Sequence, residues 1–480
     1  MKVKQSYLTP ITLGLFLGWI MSLPYEGPVL YAIGDILGFN GMYLNNFTVF
    51  AHFLGIISTA FFVKNPHSAK KVMLFSNIVC LIGSLVLIIT PVNYWRFIIV
   101  PLAYIAGTYV TSWAFFYKQN ADTKNRGKVS ADVLIYSNII LTLSSFFSII
   151  VAPFLGYSFI ILILVLCIFV TSKLKPLNIT NDSKVGTDSK HLKTTIIKPL
   201  FIFYLFIFMV TLTSGTMFQV VYPYYSDFEL LSSLYTNIPY IIGLLFMRTL
   251  AYKKSKAYTL YMGMFFLGIS YIEFFLLPKT IIGFFLVMTP LLFAYGIFDY
   301  FWWRIMGDLF EYVKNPACIL GVGLGLNVFG VWCGGLIGQV IMAKTLGEHI
   351  LVASFSIGIL FTLFLLLPIL NYHMSTLLKN HNFFIFFTSL SHPKQETVLE
   401  SNNISDNLTE REKEIIEGVL KGYTYKKIAS DLYISENTIK THTKNIYRKL
   451  NISSKYQLIQ LFNNITETKT LDQKNKEFIN

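Results

Sequence analysis

Charge is scarce in this chain. Only 13% of its 480 residues are Asp, Glu, Lys or Arg, against 54% hydrophobic ones. Soluble domains carry roughly 25% charge, so most of the chain is not built to face water. Cysteine is scarce too. The four present, Cys80, Cys167, Cys318 and Cys333, lie inside apolar stretches with no CxxC pair and no histidine at ligand spacing. That argues against a disulfide framework and a zinc site, and leaves core or lipid-facing thiols. The chain also lacks a Walker loop, a nucleophile motif and a metal constellation, so the reading is of a non-enzyme with no cofactor and no metal. Met1-Lys2-Val3-Lys4 leads into an apolar segment without a small-residue cleavage site, which makes that segment a span rather than a removable signal.

What is abundant is long apolar runs. Crossing the hydrocarbon core takes about 20 such residues per helix. Twelve segments meet that length: 7–25, 41–63, 71–90, 95–117, 131–151, 153–171, 199–222, 230–250, 257–277, 280–302, 317–343 and 350–372. The first is interrupted by Pro and Gly, and Asp299, Arg304 and Asp308 blur the end of the tenth. The net charge is +14, and its placement fixes a topology. With the N-terminus inside, that terminus and the inside loops carry 21 Lys and Arg, and the outside loops only Arg96, Lys279 and Lys344. Positive residues favour the cytoplasmic side, so twelve spans with both ends in the cytoplasm follow. A bacterial cytoplasmic (inner) membrane is the expected location.

The polar loop 172–198 divides these segments into two sets of six. Twelve helices, two halves and a long central loop resemble the major facilitator superfamily, whose paired repeats hold a site at their interface. The loop between segments two and three, Val63-Lys64-Asn65-Pro66-His67-Ser68-Ala69-Lys70-Lys71, lacks the acid of that family's basic-acidic signature. The glycines of Gly321-Val322-Gly323-Leu324-Gly325 and Gly334-Gly335-Leu336-Ile337-Gly338 allow close helix packing.

After a linker at 373–407, with Phe383, Phe384, Phe386 and Phe387 clustered near its start and a Ser/Asn/Asp-rich spacer at its end, the composition changes. Thr409 and Glu412 form a capping box, and Ile415, Ile416, Val419 and Leu420 an apolar stripe. Lys421-Gly422 closes that helix, and a second runs over about 425–432 with Ile428, Ala429 and Leu432 inward. Ser435 caps a third, to about Leu450, with Ile439, Ile446 and Leu450 on its core face. Lys440, Lys444 and Arg448 recur every four residues on its other face, which suits docking in a major groove. A fourth helix opens at Ser454, and residues 466–480 form a polar tail.

The string Leu408-Thr409-x-Arg411-Glu412, Lys421-Gly422, Ile428-Ala429, Leu432, Ile434-Ser435-x-x-Thr438-Ile439-Lys440-x-His442 and Lys449-Leu450 resembles the four-helix C-terminal domain of LuxR/NarL-type regulators. That resemblance places Lys440, Thr441 and Lys444 at base edges, and Ser435, Thr438, Arg448 and Ser453 near phosphates. It also implies a dimer on double-stranded DNA. The phospho-receiver or ligand domain usual in that family is replaced here by the membrane part.

The fold class expected is therefore all-α: a twelve-helix transmembrane bundle of two six-helix halves (1–372) plus a small four-helix helix-turn-helix domain (408–465). Ionisable residues within spans mark candidate ligand or proton sites. They are Glu273, Asp299 and His52, with Glu26 and Arg96 near the outer face. The leading function is a one-component transcription regulator whose membrane part senses an unknown small molecule or a partner protein. The alternatives are a secondary transporter with a regulatory tail, and a passive anchor for the DNA-binding module.

Overall fold

A computed structural model of the chain describes residues 4–25, 27–39, 44–123, 125–177, 189–250, 256–310, 313–344, 349–389, 407–421, 423, 425–452, 457–459 and 461–462. Among the described residues every regular element is helical. The chain divides into two compact units, Met1–Asn178 with Tyr204–Pro368, and Ile179–Phe203 with Ile369–Asn480.

The first unit is built mainly from α1 (Gln5–Ser22), α2 (Pro28–Leu37), α3 (Asn45–Phe62), α4 (Pro66–Ile89), α5 (Trp95–Ser112), α6 (Ala114–Asn120), α7 (Arg126–Ser145) and α8 (Pro153–Lys173). Its second half follows with α9 (Ser189–Tyr224), α10 (Glu229–Leu234), α11 (Asn237–Leu250), α12 (Lys256–Leu276), α13 (Ile281–Leu309), α14 (Pro316–Lys344) and α15 (His349–Ser389). The starts are locally encoded. Pro66, Pro153 and Pro316 occupy first-turn positions, where the missing N–H costs nothing. The Asn65 side chain accepts from Ser68 N at 2.8 Å, and the Thr280 hydroxyl from Gly283 N at 3.0 Å.

Among the described residues, ten helices are long and apolar enough to cross a membrane. The helices for the first two expected segments, α1 and α3, lie alongside them, α1 against α7 and α8, and α3 against α5 and α14. Large apolar side chains remain on the outer surface. Phe62, Ile89 and Leu365 are 77–80% exposed, which suits a hydrocarbon solvent. Inside, buried polar groups find partners between helices: Trp113 Nε1 donates to Thr9 O at 2.8 Å and Trp19 Nε1 to Ser84 Oγ at 3.2 Å.

Several bounds differ from those read in the sequence. The short α2 was not anticipated, because ten residues are too few to register as a span. The tenth segment extends to Leu309, past Asp299, Arg304 and Asp308. α9 begins at Ser189 within the expected central loop, and α15 continues to Ser389, well into the stretch read as a linker.

Two of the seams between the halves are marked by polar contacts. At the first, Asn315 Nδ2 of the α13–α14 connection donates to Ala60 O (3.2 Å) and Val63 O (3.0 Å) at the end of α3. Near the other end of α3, Trp332 Nε1 donates to Asn46 O at 3.0 Å, and Asn46 Nδ2 to Gln339 Oε1 at 3.4 Å. Gly321 makes the close approach possible. A Cβ there would come within 2.8 Å of Ala60 Cβ and 2.9 Å of Thr111 Cγ2. At the second seam, between α7 and α11, Arg248 Nε pairs with Asp132 Oδ1 at 2.8 Å.

Within the second unit, residues 407–462 hold α16 (Glu410–Leu420), α17 (Tyr425–Asp431) and α18 (Glu436–Lys449), with further helical residues at 457–459 and 461–462. Leu408, Ile415, Ile416, Val419, Leu420, Ile428, Ala429, Ile439, Ile446, Leu458, Ile459 and Phe462 form one buried cluster. Leu432 and Leu450 pack at its edge.

Candidate nucleic-acid interface

α18 is held from both ends. Ser435 Oγ accepts from Thr438 N at 3.1 Å, satisfying an orphan donor of the first turn. The two hydroxyls of Ser435 and Thr438 lie 2.8 Å apart. The turn that delivers the chain from α17 runs through Tyr433 at φ 56°, a left-handed conformation in a residue with a Cβ. Ile434 N donates to Ala429 O at 2.9 Å, and the Arg411 guanidinium donates to the Leu432 carbonyl, so α16 also braces this turn. At the C-terminal end, Lys449 reaches across to Glu412.

Period then sorts the side chains of α18. Ile439, Thr443 and Ile446 are buried, whereas Lys440, Thr441, Lys444 and Arg448 are exposed. Steps of four along an α-helix stack Lys440, Lys444 and Arg448 into one stripe, with Thr441 beside it. A helix with its side chains is 10–12 Å across and fits a major groove about 12 Å wide. Lys440 Nζ is engaged by Glu436 at 2.9 Å within the helix. Arg448 Nη2 donates to Asn445 Oδ1 at 3.2 Å. Lys444 makes no ion pair among the described residues. Ser435 and Thr438 lie exposed at the N-terminus of α18, where backbone N–H groups and the helix dipole favour an anion such as phosphate. Ser453 lies outside the described residues.

The candidate residues of the membrane part are dispersed. His52 Nδ1 lies 2.9 Å from Ala103 O, and its ring meets Tyr25 edge-on at 4.9 Å, so it is spent on joining α3 to α5. Arg96 is exposed, with its guanidinium 4.7 Å above the Phe97 ring. Glu26 lies outside the described residues. Ser270 Oγ bonds Val287 O at 2.8 Å and sets the register of α12 against α13. Glu273 then falls toward the 277–280 turn, while Asp299 sits twelve residues past Val287 in the other direction, roughly 18 Å at 1.5 Å per residue. The two carboxylates therefore do not share a site. Glu273 has a buried Oε2 without a hydrogen-bond partner, and Asp299 accepts from the Tyr240 hydroxyl.

Two contributors escaped sequence reasoning. Tyr240 is remote from Asp299 in the chain and is one of 29 tyrosines. Asp132 lies within an apolar run and meets Arg248 only through the packing of α7 on α11.

Comparison with known proteins separates the two parts of the chain. Residues 406–462 match the sequence profile of the family described as bacterial regulatory proteins, luxR family. The nitrate/nitrite response regulator protein homolog of Haemophilus influenzae is 41% identical over 61 residues, which are 13% of this chain and 29% of that protein. The nitrate/nitrite response regulator protein NarP of Escherichia coli is 46% identical over 55 residues, 12% of this chain and 26% of NarP. The chain thus spans less than a third of these relatives. Among solved structures, the human organic anion transporter MFSD10 (TETRAN) superposes with a TM-score of 0.59 at 12% identity, over 76% of this chain and all of that one. FucP, a major facilitator superfamily transporter crystallised in the outward conformation, gives 0.55 at 11% identity, over 74% and 97%. At such identities the likeness is one of fold. A LuxR-type helix-turn-helix domain is joined in one polypeptide to a transmembrane domain of major facilitator fold.

Proposed function

We propose that this chain is a membrane-embedded one-component transcription regulator without a catalytic step. Its membrane domain binds a small molecule or a partner protein, and occupancy of that domain sets how the helix-turn-helix modules engage DNA. The observation that carries the reading is the division of α18 into a buried Ile439–Thr443–Ile446 face and an exposed Lys440–Thr441–Lys444 face, in a segment with a luxR-family match. In this reading Lys440, Thr441 and Lys444 meet base edges, and Ser435, Thr438, Arg448 and Ser453 meet phosphates. A fourth helix, which the described residues 457–459 and 461–462 support, pairs two modules on a palindrome.

We place twelve spans in a bacterial cytoplasmic membrane, the ten long apolar helices plus α1 and α3, with both ends of the chain inside. The 21-to-3 partition of basic residues supports that orientation. Regulation then requires only that the ligand bind one arrangement of the membrane domain more tightly than another.

Chromatin immunoprecipitation of the full-length tagged protein, beside a Lys440→Ala/Lys444→Ala variant, tests the proposal. Discrete peaks that vanish in the variant are the expected result. Peaks that persist in the variant, or none in wild type under several growth conditions, would overturn it.

A further inference from the structure

Two acids of the membrane domain are matched by cations, Asp132 by Arg248 at 2.8 Å and Asp227 by Lys279 at 2.7 Å. Asp299 is not. It accepts a hydrogen bond from the Tyr240 hydroxyl and makes no ion pair among the described residues. Ionisable groups at this depth are costly, so a carboxylate retained there without a cation calls for an account.

Its position on α13 says which way it faces. Tyr295, Asp299 and Trp303 are four residues apart and share one side of the helix. Trp303 meets Trp113 of the first half, with centroids 6.1 Å apart, so this side looks across to that half and not to lipid. Tyr295 stacks on Phe218 of α9 at 6.4 Å and 17°, and Phe218 on Tyr222 at 5.1 Å and 20°. The carboxylate is bonded to the Tyr240 hydroxyl of α11, and Tyr295, one turn earlier on α13, carries the aromatic surface on to Phe218 of α9. Asp299 is itself partly exposed, and Phe218 keeps 44% of its surface exposed despite both stacks.

Such a wall selects by charge. An unpaired carboxylate attracts a cation strongly where water is excluded, and aromatic faces add the attraction of their quadrupoles for the same sign. An anion of equal size meets repulsion from both. We infer that Asp299, Tyr240, Tyr295 and Phe218 form a binding site for an organic cation with an apolar or aromatic body. The inference rests on the reading above that this domain binds a small molecule, and it names the class.

Purified full-length protein in nanodiscs is titrated with tetraphenylphosphonium, and separately with tetraphenylborate as an anion of the same shape, following tryptophan fluorescence. Saturable binding of the cation alone is expected, weakened about tenfold or more by Asp299→Asn and largely kept by Asp299→Glu. Equal binding of both ions, wild-type affinity in Asp299→Asn, or no saturable cation binding in wild type would overturn the inference. If Asp299→Asn does not fold, Tyr240→Phe and Tyr295→Leu keep the carboxylate and decide the matter. A several-fold loss of cation affinity supports the site, and unchanged affinity overturns it. Chromatin occupancy by the same variants keeps the two ideas apart. Occupancy retained without cation binding leaves the regulator standing and removes this ligand class, whereas cation binding in a chain that never occupies DNA does the reverse.

Discussion

Lys449 Nζ lies 2.6 Å from Glu412 Oε2, closing a bridge from the last turn of α18 to the capping box that starts α16. The same oxygen accepts from Thr409 N at 2.9 Å and Thr409 Oγ1 at 3.1 Å, and the Glu412 side chain is 4% exposed. One carboxylate thus fixes both ends of the path that presents the basic face.

Burial pushes the Glu412 pKa up, but the hydrogen bonds from Lys449 and Thr409 outweigh it and hold the carboxyl below its ordinary 4.5. A glutamate with a depressed folded pKa contributes stability above its unfolded value and loses it as pH falls through the folded one. Urea unfolding of the excised 400–480 fragment, followed by circular dichroism, will show stability declining below about pH 4.5. Glu412→Gln will flatten that acid limb. Glu412→Ala, which removes the reciprocal half of the capping box and leaves Lys449 unmatched, will cost about 1–3 kcal/mol at pH 7.

In the reading proposed above, Glu436 would compete with DNA for Lys440, with which it pairs at 2.9 Å. The pair is half exposed, and surface pairs of this spacing contribute at most about 0.5 kcal/mol, so its loss will not unfold the module. Glu436→Gln will therefore tighten binding to non-specific duplex and steepen its salt dependence, measured by fluorescence anisotropy between about 50 and 200 mM salt. Arg448→Ala, at a proposed phosphate contact, will act oppositely, lowering the slope by about one.

The Asp132–Arg248 pair spans the two halves and is partly shielded, with side chains 13% and 32% exposed. Asp132→Asn or Arg248→Gln will lower the thermal stability of the purified protein by about 1–3 kcal/mol. The charge swap Asp132→Arg/Arg248→Asp will recover most of that loss. No recovery would mean the two residues act separately.

Two glycines of α14 should respond in opposite ways. A Cβ at Gly321 meets Ala60 and Thr111, whereas one at Gly335 meets nothing within 4 Å. Gly321→Val will cut the yield of folded protein and lower its melting temperature. Gly335→Ala will be neutral or raise stability by up to about 1 kcal/mol, since alanine is the better helix former.

The sequence disclosed most where the physics is local. Thr409 and Glu412 form the expected capping box, Ser435 caps α18 as expected, and Ile439 and Ile446 are buried as their spacing implied. Apolar runs located the long helices, although α1 and α3 fall outside the ten by length and composition. What stayed hidden depends on pairs far apart in the chain. Nothing in the run around Asp132 announces Arg248, and no pattern ties Tyr240 to Asp299. The contact of His52 with Ala103 O involves a backbone oxygen, which composition cannot advertise. The left-handed turn at Tyr433 was equally silent, because that conformation is commonly signalled by glycine or asparagine.

The α3–α14 seam has a mechanical consequence. It is fastened at Asn46 and again at Ala60 and Val63, points about 21 Å apart along α3 at 1.5 Å per residue. A beam pinned at two such points cannot pivot about either without shearing the other. A motion that preserved both fastenings would turn about this seam as an axle, and the contacts beyond it, Asp132 with Arg248 and Trp113 with Trp303, would then have to part.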